Sequence, residues 1–160
     1  MYNLFWQPPP PLVPRYLRCE IDERVFSDGN IHTALNAEDV LQAAKKFKDE
    51  NITIVAISFM NSYTNRDHEL LAEKELRNAG FDGYISLSSM ISGEYREYER
   101  TTTTVIDAFV RAKMSTYLDN LRSELVSLGF NGNLLVTRSG SGSMTFEEAE
   151  DRPFETIMSG

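Results

Sequence analysis

The densest concentration of reactive side chains in the sequence lies between residues 94 and 104. It includes the charged residues Glu97, Glu99 and Arg100 and the hydroxyl-bearing residues Tyr98, Thr101 and Thr103. A guanidinium can hold a carboxylate or phosphate through two parallel hydrogen bonds, and a carboxylate can act as a general base. The run therefore predicts either a polar-substrate site, with Arg100 as the clamp and Glu97 or Glu99 as the base, or side chains that only pair with one another.

A second candidate is the glycine- and serine-rich run over residues 139–143. It follows a predicted strand at 134–136 and precedes a short helix, which Thr145 and Glu148 open with the pattern of a capping box. Backbone N–H groups at such a junction, at Ser139 and Gly140 above all, can hold an anion or carboxylate. A flexible connecting loop is the alternative interpretation.

Other common chemistries lack their sequence patterns. The two histidines, His32 and His68, stand far apart without the carboxylate or thiol spacing of a zinc site, so we expect surface or capping histidines and no metal centre. The sequence contains no P-loop, no GxGxxG turn and no GxSxG nucleophile elbow. The single cysteine, Cys19, cannot form an internal disulfide, which favours a reducing, cytoplasmic location.

Composition limits the class of protein. The 160 residues carry a formal net charge of −8 and are 41% hydrophobic, which predicts one folded domain. A negative overall field disfavours binding to nucleic acid or to an anionic membrane surface. No apolar run approaches the roughly 20 residues that span a bilayer, so neither nucleic acid nor membrane is expected as a partner.

The first third of the chain predicts a connector followed by a strand, a helix and a buried strand. Most of the prolines fall within residues 1–15, which indicates an extended connector more than a polyproline ligand. Apolar and polar residues alternate over 16–25, as in a half-buried strand, and residues 27–30 form a turn. Asn36 caps a first helix with Val40, Leu41, Ala44 and Phe47 on its apolar face, and residues 52–59 are apolar enough for a strand buried on both faces.

The remaining elements continue the alternation of an α/β fold. Asn65 caps a second helix through Ala79, Gly80 ends it, and a strand follows at 84–88. A helix of about 25 residues then ends at Gly129, and residues 155–157 form a last extended segment. We expect the long helix to pack one apolar stripe on the sheet, formed by Ile106, Val110, Met114, Tyr117, Leu121, Leu125 and Leu128.

Several ordered motifs give the chain a family resemblance. The segment 96–101 reads Arg-Glu-Tyr-Glu-Arg-Thr and is followed by Thr103, Thr104 and Val105. Further motifs lie before and after it, at 11–15, 20–25, 61–69, 129–130, 138–140, 152–153 and 156–160. Together they resemble the hydantoinase/oxoprolinase family in its hydantoinase A-type subunit. The resemblance assigns 16–92 to the end of the N-terminal region and 93–160 to the beginning of the hydantoinase A region.

The resemblance implies ATP-dependent opening of cyclic amides such as hydantoin or 5-oxoproline, with ATP and magnesium as cofactors. Related subunits belong to ketone carboxylases, and a non-catalytic scaffold or assembly module is a further alternative. The implied fold is an α/β arrangement of layers, similar to part of the actin and sugar-kinase (ribonuclease H-like) superfamily. Binding residues implied by the motifs include Ser159 and Gly160, beside those already described.

The chain also departs from the family pattern. The family's N-terminal Asp-Gly-Gly-Thr phosphate motif and its glycine-rich loop beyond Gly160 are both absent, so we expect an internal piece with an incomplete ATP site. The usual Asn-Ala-Tyr is Asp107-Ala108-Phe109 here, and the usual Ser-Asn-Gly-Gly starts at Ser139 as Ser-Gly-Ser-Gly, which predicts a changed substrate site. A hydantoinase B-type subunit or the missing lobes are the expected partners, and an uncovered apolar face predicts self-association.

Overall fold

The computed structural model describes Phe5, Gln7 and residues 10–158. Much of the predicted connector, with Pro8 and Pro9, therefore lies outside the described residues, as do Ser159 and Gly160. Two short 3₁₀ helices lie at Arg15–Leu17 and Pro153–Thr156. The other elements, in chain order, are β1 (Arg24–Val25), β2 (Ile31–Thr33), α1 (Ala37–Asp49), β3 (Ile54–Ile57), α2 (Asp67–Asn78), β4 (Tyr84–Leu87), α3 (Ser88–Ile91), α4 (Glu97–Ser127), β5 (Leu135–Thr137), β6 (Ser143–Thr145) and α5 (Phe146–Asp151).

The centre of the fold is a parallel pair of strands between two layers of helices. β3 pairs with β4 in register from Ile54 opposite Tyr84 to Ile57 opposite Leu87. One face of the pair packs on α1 and α2 in a core that includes Val40, Phe47 and Leu76. The other face packs on α4. This arrangement confirms the prediction of an α/β fold with a strand covered on both faces.

The predicted helix boundaries are confirmed where they depend on local caps. The Asn36 side chain accepts from the Glu38 N–H at 3.1 Å and opens α1, and the Asn65 side chain accepts from the first N–H of α2 at 2.9 Å. Gly80 takes a φ of +86° after α2, a conformation that an L side chain rarely adopts. Thr145 and Glu148 form the predicted capping box of α5.

The strand predicted over 16–25 forms only at Arg24–Val25. Residues 15–17 form a 3₁₀ helix instead, and residues 18–23 belong to none of the assigned strands. The predicted alternation is nevertheless present in the burial, because Cys19, Ile21 and Glu23 are turned inward while the residues between them are exposed. The alternating pattern therefore predicted correctly which side chains face the interior. The segment itself is not assigned as a strand, because no neighbouring strand among the described residues pairs with it.

Two strands were missed, and one extended segment is helical. β2 pairs with β1 across the predicted turn at 27–30, and β6 pairs with β5 across residues 138–142, so each forms a hairpin. Both strands have only three residues, which is too short for a clear hydrophobic period. The segment predicted as extended, 155–157, lies largely within the 3₁₀ helix Pro153–Thr156, where Pro153 provides a preset φ and the Thr156 hydroxyl donates to its carbonyl at 2.7 Å.

The long helix α4 buries a different stripe from the predicted one. Its buried residues are Arg100, Thr104, Asp107, Ala108 and Leu118. The predicted stripe is at most half-buried, and Tyr117 and Leu128 are 58% and 83% exposed. Leu41 of α1 is likewise 42% exposed rather than buried. Among the described residues, none of the helices combines the length and apolar composition needed to cross a membrane.

The cap at Asn36 provides a direct test of the local contribution to stability. Replacing Asn36 with Ala removes the acceptor for the Glu38 N–H, so we expect the free energy of unfolding to fall by about 1 kcal/mol. Asn36→Asp keeps an acceptor at the same position and should retain most of the stability. Urea unfolding followed by circular dichroism measures both variants, and equal stability of Asn36→Ala and the original chain would contradict the capping role.

Candidate functional site

The carboxyl ends of β3 and β4 meet the N-terminus of α4 at one edge of the fold. Phe59 follows β3, Ser88 follows β4, and Arg100 lies in the first turn of α4, beside both. In parallel sheets, the loops at the carboxyl ends of the strands are the usual place for a ligand. The same edge contains the charged and hydroxyl residues of 97–103, so it is the candidate functional site.

Ser88 connects three elements through its hydroxyl. It donates to Glu69 Oε1 of α2 at 2.5 Å and accepts from Arg100 Nε at 3.1 Å. The Ser62 hydroxyl lies 3.0 Å from the Ser88 hydroxyl. Since the single proton of Ser88 is directed to the carboxylate, Ser62 must donate to Ser88. This cluster of Glu69, Ser88, Arg100 and Ser62, the Ser88 network, lies in the interior of the protein.

Glu69 is fully buried and was not predicted as a site residue. Beside the Ser88 hydroxyl, its carboxylate accepts the backbone N–H of Phe59 at 3.0 Å and that of Ser89 at 2.9 Å. Three donors compensate the loss of water around the buried carboxylate. The sequence does contain an indication, because Glu69 shares the inward face of α2 with Ala72 and Leu76 by helical spacing.

Arg100, the predicted clamp, is fully buried. Its remaining nitrogens donate to the carbonyl oxygens of Glu94 at 2.9 Å and Phe59 at 2.7 Å. The guanidinium carbon also lies 5.6 Å from the centre of the Tyr63 ring. Each of the three nitrogens thus donates a hydrogen bond within the protein. Arg100 lies beneath the surface of the site and connects the segment after β3, the segment before α4, and Ser88.

The other predicted residues of 97–103 lie on two different sides of α4. The Thr101 hydroxyl lies 2.8 Å from that of Ser58, and both residues line a groove beside β3. Tyr98 lines the same groove and is 80% exposed. Glu99 pairs with Arg96 at 3.4 Å, and its carbonyl accepts the Thr103 hydroxyl at 2.8 Å. Glu97 is half-buried and precedes Thr101 by one helical turn. The hydrogen bond of Arg96 to the Tyr95 hydroxyl, together with Glu99, raises the pKa of Arg96.

The predicted binding loop at Ser139 and Gly140 is the turn of the β5–β6 hairpin. The Ser139 N–H donates to the Glu155 carbonyl at 2.6 Å, and its hydroxyl accepts the Met158 N–H at 2.9 Å. Gly140 has a φ of +96°, which the tight turn requires. These hydrogen bonds link the loop to the C-terminal 3₁₀ helix, and none of those described joins it to residues 97–104. Among the described residues, the two predicted binding segments are therefore not joined by a hydrogen bond.

A second polar cluster connects α4 to the C-terminal helices. Asp107 Oδ2 accepts from the Ser86 hydroxyl at 2.5 Å and from Arg111 Nε at 3.1 Å, and the Arg111 guanidinium also donates to the carbonyls of Glu150 and Asp151. Asp107 is fully buried. Asp107, which stands where the family pattern has Asn, thus forms an interior ion pair with Arg111.

One expectation about the histidines is corrected. His68 is buried rather than superficial, and its Nδ1 lies 2.8 Å from the Glu23 carboxylate, which joins α2 to the segment before β1. His32 is exposed. Among residues 10–158 and the two described residues before them, no three His, Cys, Asp or Glu side chains are grouped so that they could hold a metal ion.

Comparison with known proteins gives consistent matches along the chain. Residues 1–80 match the hydantoinase/oxoprolinase N-terminal region, and residues 100–160 match the hydantoinase/oxoprolinase domain. An uncharacterized protein of Methanocaldococcus jannaschii is 39% identical over the whole chain, which covers 24% of that protein. Caprolactamase subunit alpha of Pseudomonas jessenii is 30% identical over 99% of the chain and 23% of the subunit. The acetophenone carboxylase gamma subunit of Aromatoleum aromaticum is 28% identical over 91% of the chain and 21% of the subunit.

Solved structures share the fold. The crystal structure of the ATP-dependent caprolactamase from Pseudomonas jessenii superposes with a TM-score of 0.85 at 28% identity, over 97% of this chain and 23% of that one. Nucleotide-free acetone carboxylase superposes equally well, with a TM-score of 0.85 at 21% identity, over 96% of this chain and 22% of that one. The chain thus spans about a quarter of the length of these relatives.

Two arginines in the first turn of α4 and just before it allow a matched test of the Ser88 network. Arg100→Ala leaves Ser88 and two carbonyls without their charged donor, so we expect the free energy of unfolding to fall by about 3 kcal/mol or more. Arg96→Ala removes an exposed guanidinium, and its unfolding midpoint should stay close to that of the original chain. Chemical denaturation measures both, and a stable Arg100→Ala variant would show that the guanidinium is not a structural tie.

Proposed function

The chain belongs to the hydantoinase/oxoprolinase family, and we propose that it forms one part of an ATP-dependent enzyme that opens cyclic amide rings. The observation that carries this proposal is the agreement in sequence and fold, over nearly the whole chain, with the ATP-dependent caprolactamase. Caprolactam is itself a cyclic amide, so the proposed substrate class is a small cyclic amide of the hydantoin, 5-oxoproline or lactam type.

An ATP–magnesium site requires particular side chains and backbone groups. A triphosphate needs several free N–H or cationic donors, and magnesium needs carboxylates beside it. Here each side-chain nitrogen of the fully buried Arg100 already donates within the protein, as does the Ser139 N–H. No metal-binding cluster is present among the described residues. These residues do not fit a complete ATP–magnesium site. We propose that such a site needs other parts of the full-length protein, including an actin-like or sugar-kinase-like nucleotide lobe.

Within the proposed site, the residues facing the groove beside β3 act on the substrate. Thr101 and Tyr98 line this groove together with Ser58 at the carboxyl end of β3, and the hydroxyls of Thr101 and Ser58 are bonded to each other. Glu97 lies one turn before Thr101, whereas Glu99 is paired with Arg96 and lies on the side of Thr103. We therefore assign the acid–base role to Glu97 rather than Glu99. Arg100 acts as a positioning residue, because its hydrogen bonds to Phe59 and Ser88 hold the site from behind.

We propose that the chain acts together with a second subunit. The caprolactamase and acetophenone carboxylase relatives are named as subunits, which supports a second subunit of the hydantoinase B type. We also propose that the isolated chain self-associates, because α4 exposes large apolar side chains such as Phe109 and Tyr117 at 59% and 58%. The boundary between the two family regions near residues 92 and 93 remains a prediction.

The function is tested with a full-length protein that contains this chain. We expect it to consume ATP and open a cyclic amide, measured by phosphate release and by product mass for hydantoin, 5-oxoproline and caprolactam. Ketone carboxylation is the second candidate, favoured by the match to the acetophenone carboxylase gamma subunit. Incorporation of labelled bicarbonate into acetone or acetophenone without ring opening would establish that alternative, and inactivity in both assays with intact subunit binding would support a scaffold role.

A matched pair of substitutions tests the assignment of the acid–base residue. In the full-length protein, Glu97→Gln removes the proposed acid–base carboxylate, so we expect turnover to fall by about 100-fold or more. Glu99→Gln alters a carboxylate of the same kind two residues away and should leave turnover nearly unchanged. Steady-state kinetics at saturating ATP measures both, and a larger loss for Glu99→Gln would reverse the assignment.

A further inference from the structure

The connection between α4 and β5 is tightly held at its start. The Gly129 N–H donates to the Val126 carbonyl at 2.9 Å, and the Phe130 N–H donates to the Leu125 carbonyl at 3.0 Å. Gly129 has a φ of +84°. The two hydrogen bonds and the left-handed glycine form a Schellman motif, which ends a helix in a defined direction. The chain is therefore fixed as far as Phe130.

The three residues that follow, 131–133, are held by much less. All three are exposed and lie in neither a helix nor a strand. Among the described residues, no hydrogen bond or ion pair involves Asn131, Gly132 or Asn133. A Cβ at Gly132 would lie 2.6 Å from the Phe130 ring, so the position of that ring favours glycine. The segment thus places the carboxamide of Asn131 next to the unbonded N–H of a glycine.

An asparagine that precedes a glycine can react with its own backbone. The backbone nitrogen of the glycine attacks the side-chain Cγ of the asparagine, and a new C–N bond closes a five-membered succinimide. The bond from Cγ to the side-chain nitrogen breaks, and that nitrogen leaves as ammonia with the proton of the backbone N–H. Water then opens the ring at either carbonyl and gives aspartate or isoaspartate. Glycine favours the attack because it has no Cβ and samples many backbone conformations.

We infer that Asn131 is a site of spontaneous deamidation through a succinimide formed with Gly132. It is the only asparagine in the sequence that precedes a glycine. The reaction consumes one water and releases one ammonia, and it needs no enzyme, metal or other reactant. The inference goes beyond the proposed function, and it holds whichever reaction the full-length protein performs.

Every other asparagine in the sequence precedes a residue with a side chain, and some are also held by hydrogen bonds. The carboxamides of Asn61 and Asn65 donate to backbone carbonyls at 2.9 and 3.0 Å. Asn133 lies in the same exposed segment as Asn131, but it precedes Leu134. Since these two neighbours share exposure and a lack of hydrogen bonds, Asn133 is the matched control for the effect of the following glycine.

Deamidation changes the connection in two ways. Both products carry a carboxylate, so the formal net charge of −8 becomes more negative by one unit. This charge lies three residues beyond Leu128, the cap of α4, and a negative charge is unfavourable at a helix C-terminus. Isoaspartate also adds one methylene to the backbone between α4 and β5. The fold should persist, because Leu118 and Phe146 pack together independently of this connection.

Incubation of the 160-residue chain in mildly alkaline buffer tests the inference. Peptide mass spectrometry measures conversion at each asparagine, and labelling by an isoaspartate-specific methyltransferase identifies the isomer. Asn131 should convert at least about 10-fold faster than Asn133. Asn131→Gln should abolish most of the ammonia release, because the glutamine side chain would have to close a six-membered ring. Asn133→Gln should leave the conversion of Asn131 unchanged.

The same incubation in urea separates the effect of the fold from that of the sequence. We expect Asn131 to convert in the folded chain at a rate similar to that in the unfolded chain. Conversion in urea without conversion in the folded chain would overturn the inference, since it would show that the turn keeps the carboxamide away from the Gly132 nitrogen. Equal conversion of Asn131 and Asn133 in the folded chain would also overturn it.

Discussion

A serine hydroxyl held between a carboxylate and a guanidinium is the interaction on which this fold depends, and it occurs twice at neighbouring positions. Ser88 donates to Glu69 and accepts from Arg100 Nε, and Ser86 donates to Asp107 and accepts from Arg111 Nε. The donor distances are 2.5 Å in both cases and the acceptor distances are 3.1 Å. Because a hydroxyl has one proton, each carboxylate determines the direction of every hydrogen bond around its serine. The result orients α2, β4 and α4 relative to one another.

The elements that the sequence predicts correctly are those whose determinants lie within a few residues. The caps at Asn36, Asn65 and Thr145 and the stop at Gly80 each involve a side chain and a backbone group three residues away or closer. The positions of β3 and β4 follow from their apolar composition and the turns around them. These features need no knowledge of the rest of the molecule.

The candidate site was harder to predict, since its partners come from distant parts of the chain. The sequence identifies the polar run at 97–103, but it cannot show that Arg100 is buried against Phe59, which lies 41 residues earlier. The sequence also gives no reason to choose Glu69 as a site residue, because a glutamate in a charged helix is usually exposed to solvent. In α4 the apolar residues lie on more than one face, and the buried stripe is the one in which Asp107 bonds to Ser86 of β4 and Arg100 bonds to Ser88 just after it. Pairing across the fold therefore outweighed hydrophobicity in setting the orientation of that helix.

The length of α4 has a mechanical consequence. Its 31 residues extend for about 46 Å at 1.5 Å per residue, and both arginine clusters are attached to its first half. Arg100 in its first turn bonds to the carbonyls of Phe59 and Glu94, and Leu118, about five turns later, packs against Met144 and Phe146. One continuous helix therefore fixes the distance between the carboxyl ends of the sheet and the β5–β6 hairpin.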